Sequence, residues 1–146
     1  MKREFAEENR ASTMELETLI AGLYEGDYGM PVGDGWSVAT MFCHLALWDG
    51  RVAYTLRAWQ ASGTVPSNIA KDATDFVNLA ARDVFAAVPG RAAAELALTR
   101  AKTLDAWLET LDDAFCEQAL AAGFERMLRR SLHRRAHLAQ IREALG

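Results

Sequence analysis

Apolar residues recur at helical spacing through almost the whole of this 146-residue chain. Met14, Leu16, Leu19, Ile20 and Leu23 form a first stripe, and Val38, Met41, Phe42, Leu45, Trp48, Val52, Leu56 and Trp59 a second, longer one. Leu96, Leu98, Leu104, Trp107, Leu108 and Leu111 form a third. A stripe of this period is one face of an α-helix, stable only when buried against a neighbour. Gly and Pro, which would break such helices, are sparse and sit between the stripes, while Ala and Leu are abundant.

The breaks define the expected elements. A first helix runs from about Phe5 to Gly26, and the turn-forming run Gly26–Gly35 is loop. Ser37 has the character of an N-cap, with Trp36 before it placed to staple against Met41. A second helix runs from Val38 to about Ala61, where the run Ser62–Ser67 ends it. A shorter helix from Asp72 to Val88 stops at Pro89-Gly90, and another follows from about Arg91 to Leu111. The last begins between Phe115 and Phe124 and continues to Leu145. A helix-containing crossover lets the second and third long helices run parallel. The expectation is an all-α, up-down-down-up four-helix bundle, with residues 1–146 as a single domain and a short crossover helix between the second and third long helices.

Net charge is −4, which offers nucleic acid and anionic membrane no electrostatic attraction, although the run Arg126–Arg135 is locally basic. No apolar stretch approaches a membrane span, and the N-terminus lacks the apolar core of a signal peptide, so a cytoplasmic location is expected. Cys43 and Cys116 lack a metal-knuckle spacing and lie in apolar helical contexts, where each reads as a buried thiol.

The three histidines carry the chemistry. His133 and His137 are four residues apart, so they share a helix face with Cβ atoms about 5–6 Å apart, close enough for two imidazoles to meet one metal. His44 lies about 10 Å into its helix from the Ser37 cap, and the pair lies roughly 13–20 Å from the C-terminal end. If the second and last helices are antiparallel neighbours, the three fall at similar heights. Each sits on the flank of its apolar stripe, where a cleft between helices would open. Three neutral imidazoles leave a coordination position free, the pattern of a catalytic metal, and imidazole suits zinc, nickel, iron or copper. The competing reading is three unrelated histidines, two of them exposed among the arginines.

The run Gly35-Trp36-Ser37 through His44-Leu45-Ala46-Leu47-Trp48-Asp49, and the closing Leu132-His133-Arg134-Arg135-Ala136-His137-Leu138-Ala139-Gln140-Ile141, resemble the two signature segments of the DinB/YfiT-like superfamily of proposed metalloenzymes. Asp75-Phe76-Val77-Asn78 resembles that family's segment leading into its third long helix. The resemblance spans nearly the whole chain. It implies the same bundle, a homodimer, and one divalent metal on His44, His133 and His137, with zinc or nickel expected ahead of iron or manganese. It also implies a small-molecule substrate, with characterised relatives including enzymes that use low-molecular-weight thiols and maleylpyruvate isomerases. Relatives often carry an acidic residue just before the last histidine, where this chain has Arg134-Arg135-Ala136.

Around the triad, Trp48 can wall a pocket or belong to the core, and Gln140, one turn from His137, can orient a ligand. Arg51, about 20° from His44 on the helical wheel, can meet an anionic substrate or form a surface ion pair. Arg130 and Arg126 share the flank of the histidine pair; they can recruit a carboxylate or solvate the last helix, and solvation is the reading adopted. Asp49 points about 140° away from His44 and is not expected to be a ligand. The remaining acids mostly read as solvated faces. The function expected is a metal-dependent hydrolase or thiol transferase that activates water or a thiol. The rival is a non-catalytic metal- or ligand-binding stress-response bundle, or a dimerisation module with a vestigial site.

Overall fold

A computed structural model describes residues 2–146 and is all-α apart from one short hairpin. In chain order the elements are α1 (Lys2–Ala21), a 3₁₀ turn (Glu25–Gly29), β1 (Pro31–Gly33), β2 (Trp36–Ser37), α2 (Val38–Ser62), α3 (Lys71–Phe85), α4 (Gly90–Leu108), α5 (Asp113–Ala121), α6 (Glu125–Leu128) and α7 (Ser131–Leu145). No helix of the described residues is long and apolar enough to cross a membrane.

The caps follow the sequence closely. Ser37 accepts from the Thr40 amide at 3.2 Å while Thr40 Oγ1 accepts from the Ser37 amide at 2.8 Å, a reciprocal box that starts α2. Gly63, at φ 69°, closes α2 by donating its amide to the Trp59 carbonyl.

Two segments depart from expectation. The run read as loop holds the 3₁₀ turn and an antiparallel hairpin, turned by Asp34 (φ 51°) and Gly35 (φ 82°). Two successive positive φ angles are what the tightest hairpin turns require, and Asp-Gly supplies them. The last segment is three helices, not one. Gly123, at φ 85°, ends α5, and the chain kinks again at Arg129 before α7. The second break is splinted from afar by buried Asn9, which donates to the Leu128 carbonyl at 2.7 Å and accepts from the Ser131 amide at 3.0 Å.

α2 packs most extensively on α4; α1 contacts α4 and α7, and α2 also contacts α7. α4 presents Ala93, Ala94, Ala97 and Ala101, all fully buried, so the backbones can approach closely. Side-chain pairs step in opposite senses along α1 and α4 (Thr13–Asp105, Glu17–Lys102) and in the same sense along α1 and α7 (Thr13–Arg134, Glu15–Arg135). Along α2 and α7 they oppose again (His44–His137, Asp49–Arg134). Met14 and Leu96, assigned to apolar faces above, are 66% and 42% exposed; α1 turns Leu16 inward, and the alanines occupy the inner face of α4.

The core is divided in two. One apolar cluster holds Leu16, Val38, Phe42, Leu45, Ala97 and Ile141; the other holds Phe5, Val52, Leu56, Leu104, Leu111 and Phe124. Between them, on all four contacting helices, lies a buried polar layer: Asn9, Ser12 and Thr13 from α1, Asp49 from α2, Asp105 from α4, and Arg130, Ser131 and Arg134 at the start of α7.

Candidate metal centre

The antiparallel pairing of α2 and α7 sets His44 against the His133–His137 pair. His44 Nε2 lies 3.0 Å from His137 Nε2 and 3.2 Å from His133 Nε2. Among the described residues these are the His, Cys, Asp or Glu side chains gathered closely enough to hold a metal ion, with ligand atoms all within 4.8 Å of one another. His44 is buried and the other two half-buried. The three can hold a metal ion.

Their environment keeps them neutral. Burial lowers the His44 pKa to about 4, with the neighbouring His137 and Arg130 adding to the effect. His133 is pushed down by burial first and then by the Arg130 charge, and His137 by burial against the opposing hydrogen bond to Gln140. Neutral imidazoles at pH 7 are what metal ligation needs.

The proton inventory tests the fit. Gln140 Oε1 stands 2.7 Å from His137 Nδ1 and accepts its proton, which leaves the His137 Nε2 lone pair facing inward, the usual arrangement for a ligating histidine. Arg130 Nη2 stands 3.1 Å from His133 Nδ1, and a guanidinium can only donate, so the neutral His133 ring carries its proton on Nε2. His44 Nε2 can then accept from His133 or donate to His137, but not both. No neutral tautomer set satisfies all three nitrogens, whereas a cation at their meeting point takes lone pairs from His44 and His137 directly. The donor set fits a divalent ion. His133 departs from the usual scheme: to ligate through Nε2 it must give up the proton there, either to solvent, leaving an imidazolate beside the Arg130 cation, or to Nδ1, with Arg130 Nη2 displaced. His44 Nδ1 is buried without a partner.

His44, His137 and Gln140 open onto a cleft of about 530 Å³ whose other walls include Trp36, Asn78 and Leu79. The hairpin brings Trp36, whose ring lies 5.4 Å from the His44 ring, and α3 brings Asn78. A groove of about 560 Å³ at the other end, between α1 and α5, gathers no comparable set of ligands.

The remaining candidates are distributed unevenly. Trp48 does not line the cleft; it is half-buried, and its Nε1 donates to Asn78 Oδ1 at 2.8 Å, holding a residue that does. Arg51 lies over the Trp48 ring at 5.5 Å and borders a separate groove with Cys43 and Tyr54, so it is not placed to meet a substrate beside His44. Arg130 does not solvate the last helix. It is 5% exposed, with Nε on Asp49 at 2.8 Å and Nη1 on the Arg126 carbonyl at 2.9 Å. Both cysteines are buried, as expected, and burial raises both thiol pKa values. Sequence reasoning missed Asp49 and Arg134, yet a signal was present. Asp49 falls on the stripe of Leu45, Val52 and Leu56, and Arg134 is four residues before Leu138, so each is a charge at a core position.

The sequence profile of the DinB superfamily matches residues 8–141. The chain belongs to the DinB superfamily. No curated protein and no solved structure is matched by it. Both histidine-bearing segments of this DinB-superfamily chain fall within the matched span.

Proposed function

We propose that this DinB-superfamily protein is a metal-dependent enzyme in which His44, His133 and His137 hold one divalent ion, zinc or nickel before iron or manganese. The observation that carries the reading is the convergence of three neutral imidazole nitrogens at the edge of an open cleft. A bound divalent ion would acidify a coordinated water or low-molecular-weight thiol to give a nucleophile at neutral pH. Within the chain, Gln140 orients His137, and Trp36 and Leu79 give the cleft apolar walls. Asn78, held by Trp48, presents a polar side chain to a small-molecule substrate. That arrangement is suited to hydrolase or thiol-transferase chemistry, the activity we propose.

The alternative is a non-catalytic metal- or ligand-binding bundle. It is favoured by the cleft's carboxylates, Asp34 and Asp75, both exposed on its wall and neither gathered with the three histidines. Titrating cobalt-loaded protein with a thiol separates the two. The enzyme reading expects a saturable shift of the visible spectrum; a spectrum indifferent to thiols and anions favours the alternative.

The senses of the side-chain pairs support the up-down-down-up bundle, and we propose that residues 1–146 form one domain, Met1 lying outside the described residues. We also propose a homodimer, supported by exposed Phe76 and Val84 on α3 and Tyr54 on α2. Light scattering should return twice the chain mass at micromolar concentration; a monomer mass removes the idea.

A further inference from the structure

Asp49 follows His44 by five residues on α2 and is 2% exposed, deep in the polar layer. Its Oδ1 accepts from Arg130 Nε at 2.8 Å and its Oδ2 from Arg134 Nε at 3.0 Å. Arg134, fully buried, turns its other edge to Asp105, with Nη1 2.8 Å and 3.0 Å from the two carboxylate oxygens and 3.0 Å from Thr13 Oγ1. The result is a closed set of two carboxylates and two guanidiniums, formally neutral, bound across all four contacting helices.

One end of this set touches the histidines, where Arg130 Nη2 lies 3.1 Å from His133 Nδ1. A bare guanidinium one ring away from a divalent ion would repel it, and Arg130 is buried where solvent screens its charge little. Asp49, on the far edge of the same guanidinium, turns that cation into one half of an ion pair. It also grips the start of α7 at two points, fixing the register in which His44 meets His137. Nothing in the triad needs this carboxylate as a ligand.

We propose that Asp49 is a positioning residue of the metal centre: by neutralising Arg130 and locking α2 against α7, it allows a divalent cation to bind beside a buried guanidinium. The inference rests on the three-histidine reading. It assigns to Asp105, at the far side of Arg134, a purely structural share of the same network.

The test is the dissociation constant for zinc alone, by competition with a chromophoric chelator, on the full metal-free chain. Asp49→Asn keeps the shape and removes the charge, and it should weaken zinc at least about tenfold, as loss of an outer partner typically does. Asp105→Asn breaks the network equally deep but away from His133, and it should leave the constant within about threefold. The double variant Asp49→Asn/Arg130→Gln removes both charges and should recover much of the lost affinity, which a merely structural role would not do. Equal effects of the two single variants, or a double variant no better than Asp49→Asn, would overturn the proposal. If Asp49→Asn does not fold, Arg130→Gln alone decides: zinc must bind as tightly as in wild type or more tightly, and weaker binding overturns it. A wild-type chain that binds no zinc would overturn the three-histidine reading, and this proposal with it.

Discussion

Acid should destabilise the metal-free protein through His44, and the amount can be worked from its surroundings. In the unfolded chain the imidazole takes a proton as pH falls through 6.5; in the folded chain burial delays protonation to about 4. Between those values the unfolded state binds the extra proton, so stability is full above pH 6.5 and declines as pH falls towards 4. At 1.36 kcal/mol for each pH unit, the span from 6.5 to about 4 amounts to about 3 kcal/mol, of which about 2 kcal/mol is lost by pH 5. The assay is urea denaturation of chelator-treated protein at pH 7.5 and pH 5, compared with His44→Gln, which cannot titrate. His133 and His137 shift in the same direction and remain in both chains, so the difference reports His44 together with its coupling to them. Wild type should lose about 2 kcal/mol more than the variant over that interval. Parallel losses in the two chains would refute the claim that burial holds this imidazole neutral.

Two further outcomes follow from the same structure. His137→Ala should abolish the one-metal stoichiometry read by elemental analysis of protein purified without a His-tag, because it removes the ligand that Gln140 orients; unchanged metal content would sink the ligand assignment. Gly90→Ala should lower stability by about 1–3 kcal/mol in chemical denaturation, since a Cβ there would meet Tyr28 Cβ and Cγ at 2.5 Å at the start of α4, where neither side can yield cheaply; a neutral variant would show that the turn repacks.

The histidine triad was legible because its two halves are local patterns. His133 and His137 share a face at any four-residue spacing on a helix, and the height of His44 could be counted from a cap that the Ser37–Thr40 pair does form. The helical class was equally legible, since a period of 3.6 in apolar residues has few other solutions. Periodicity could not show where the last segment breaks, because Leu128 and Ser131 exchange their missing helical bonds for Asn9, more than a hundred residues away. Nor could it give the fate of the arginines. A guanidinium is drawn into a core only when carboxylates from other helices meet it there, and Asp49 and Asp105 are brought to Arg130 and Arg134 by the packing of α2, α4 and α7. Residue type and spacing alone determined the helices and the three imidazoles that can meet. Only the tertiary structure decided which charges stand behind them, because pairing buried charges depends on contacts between helices that are distant in sequence.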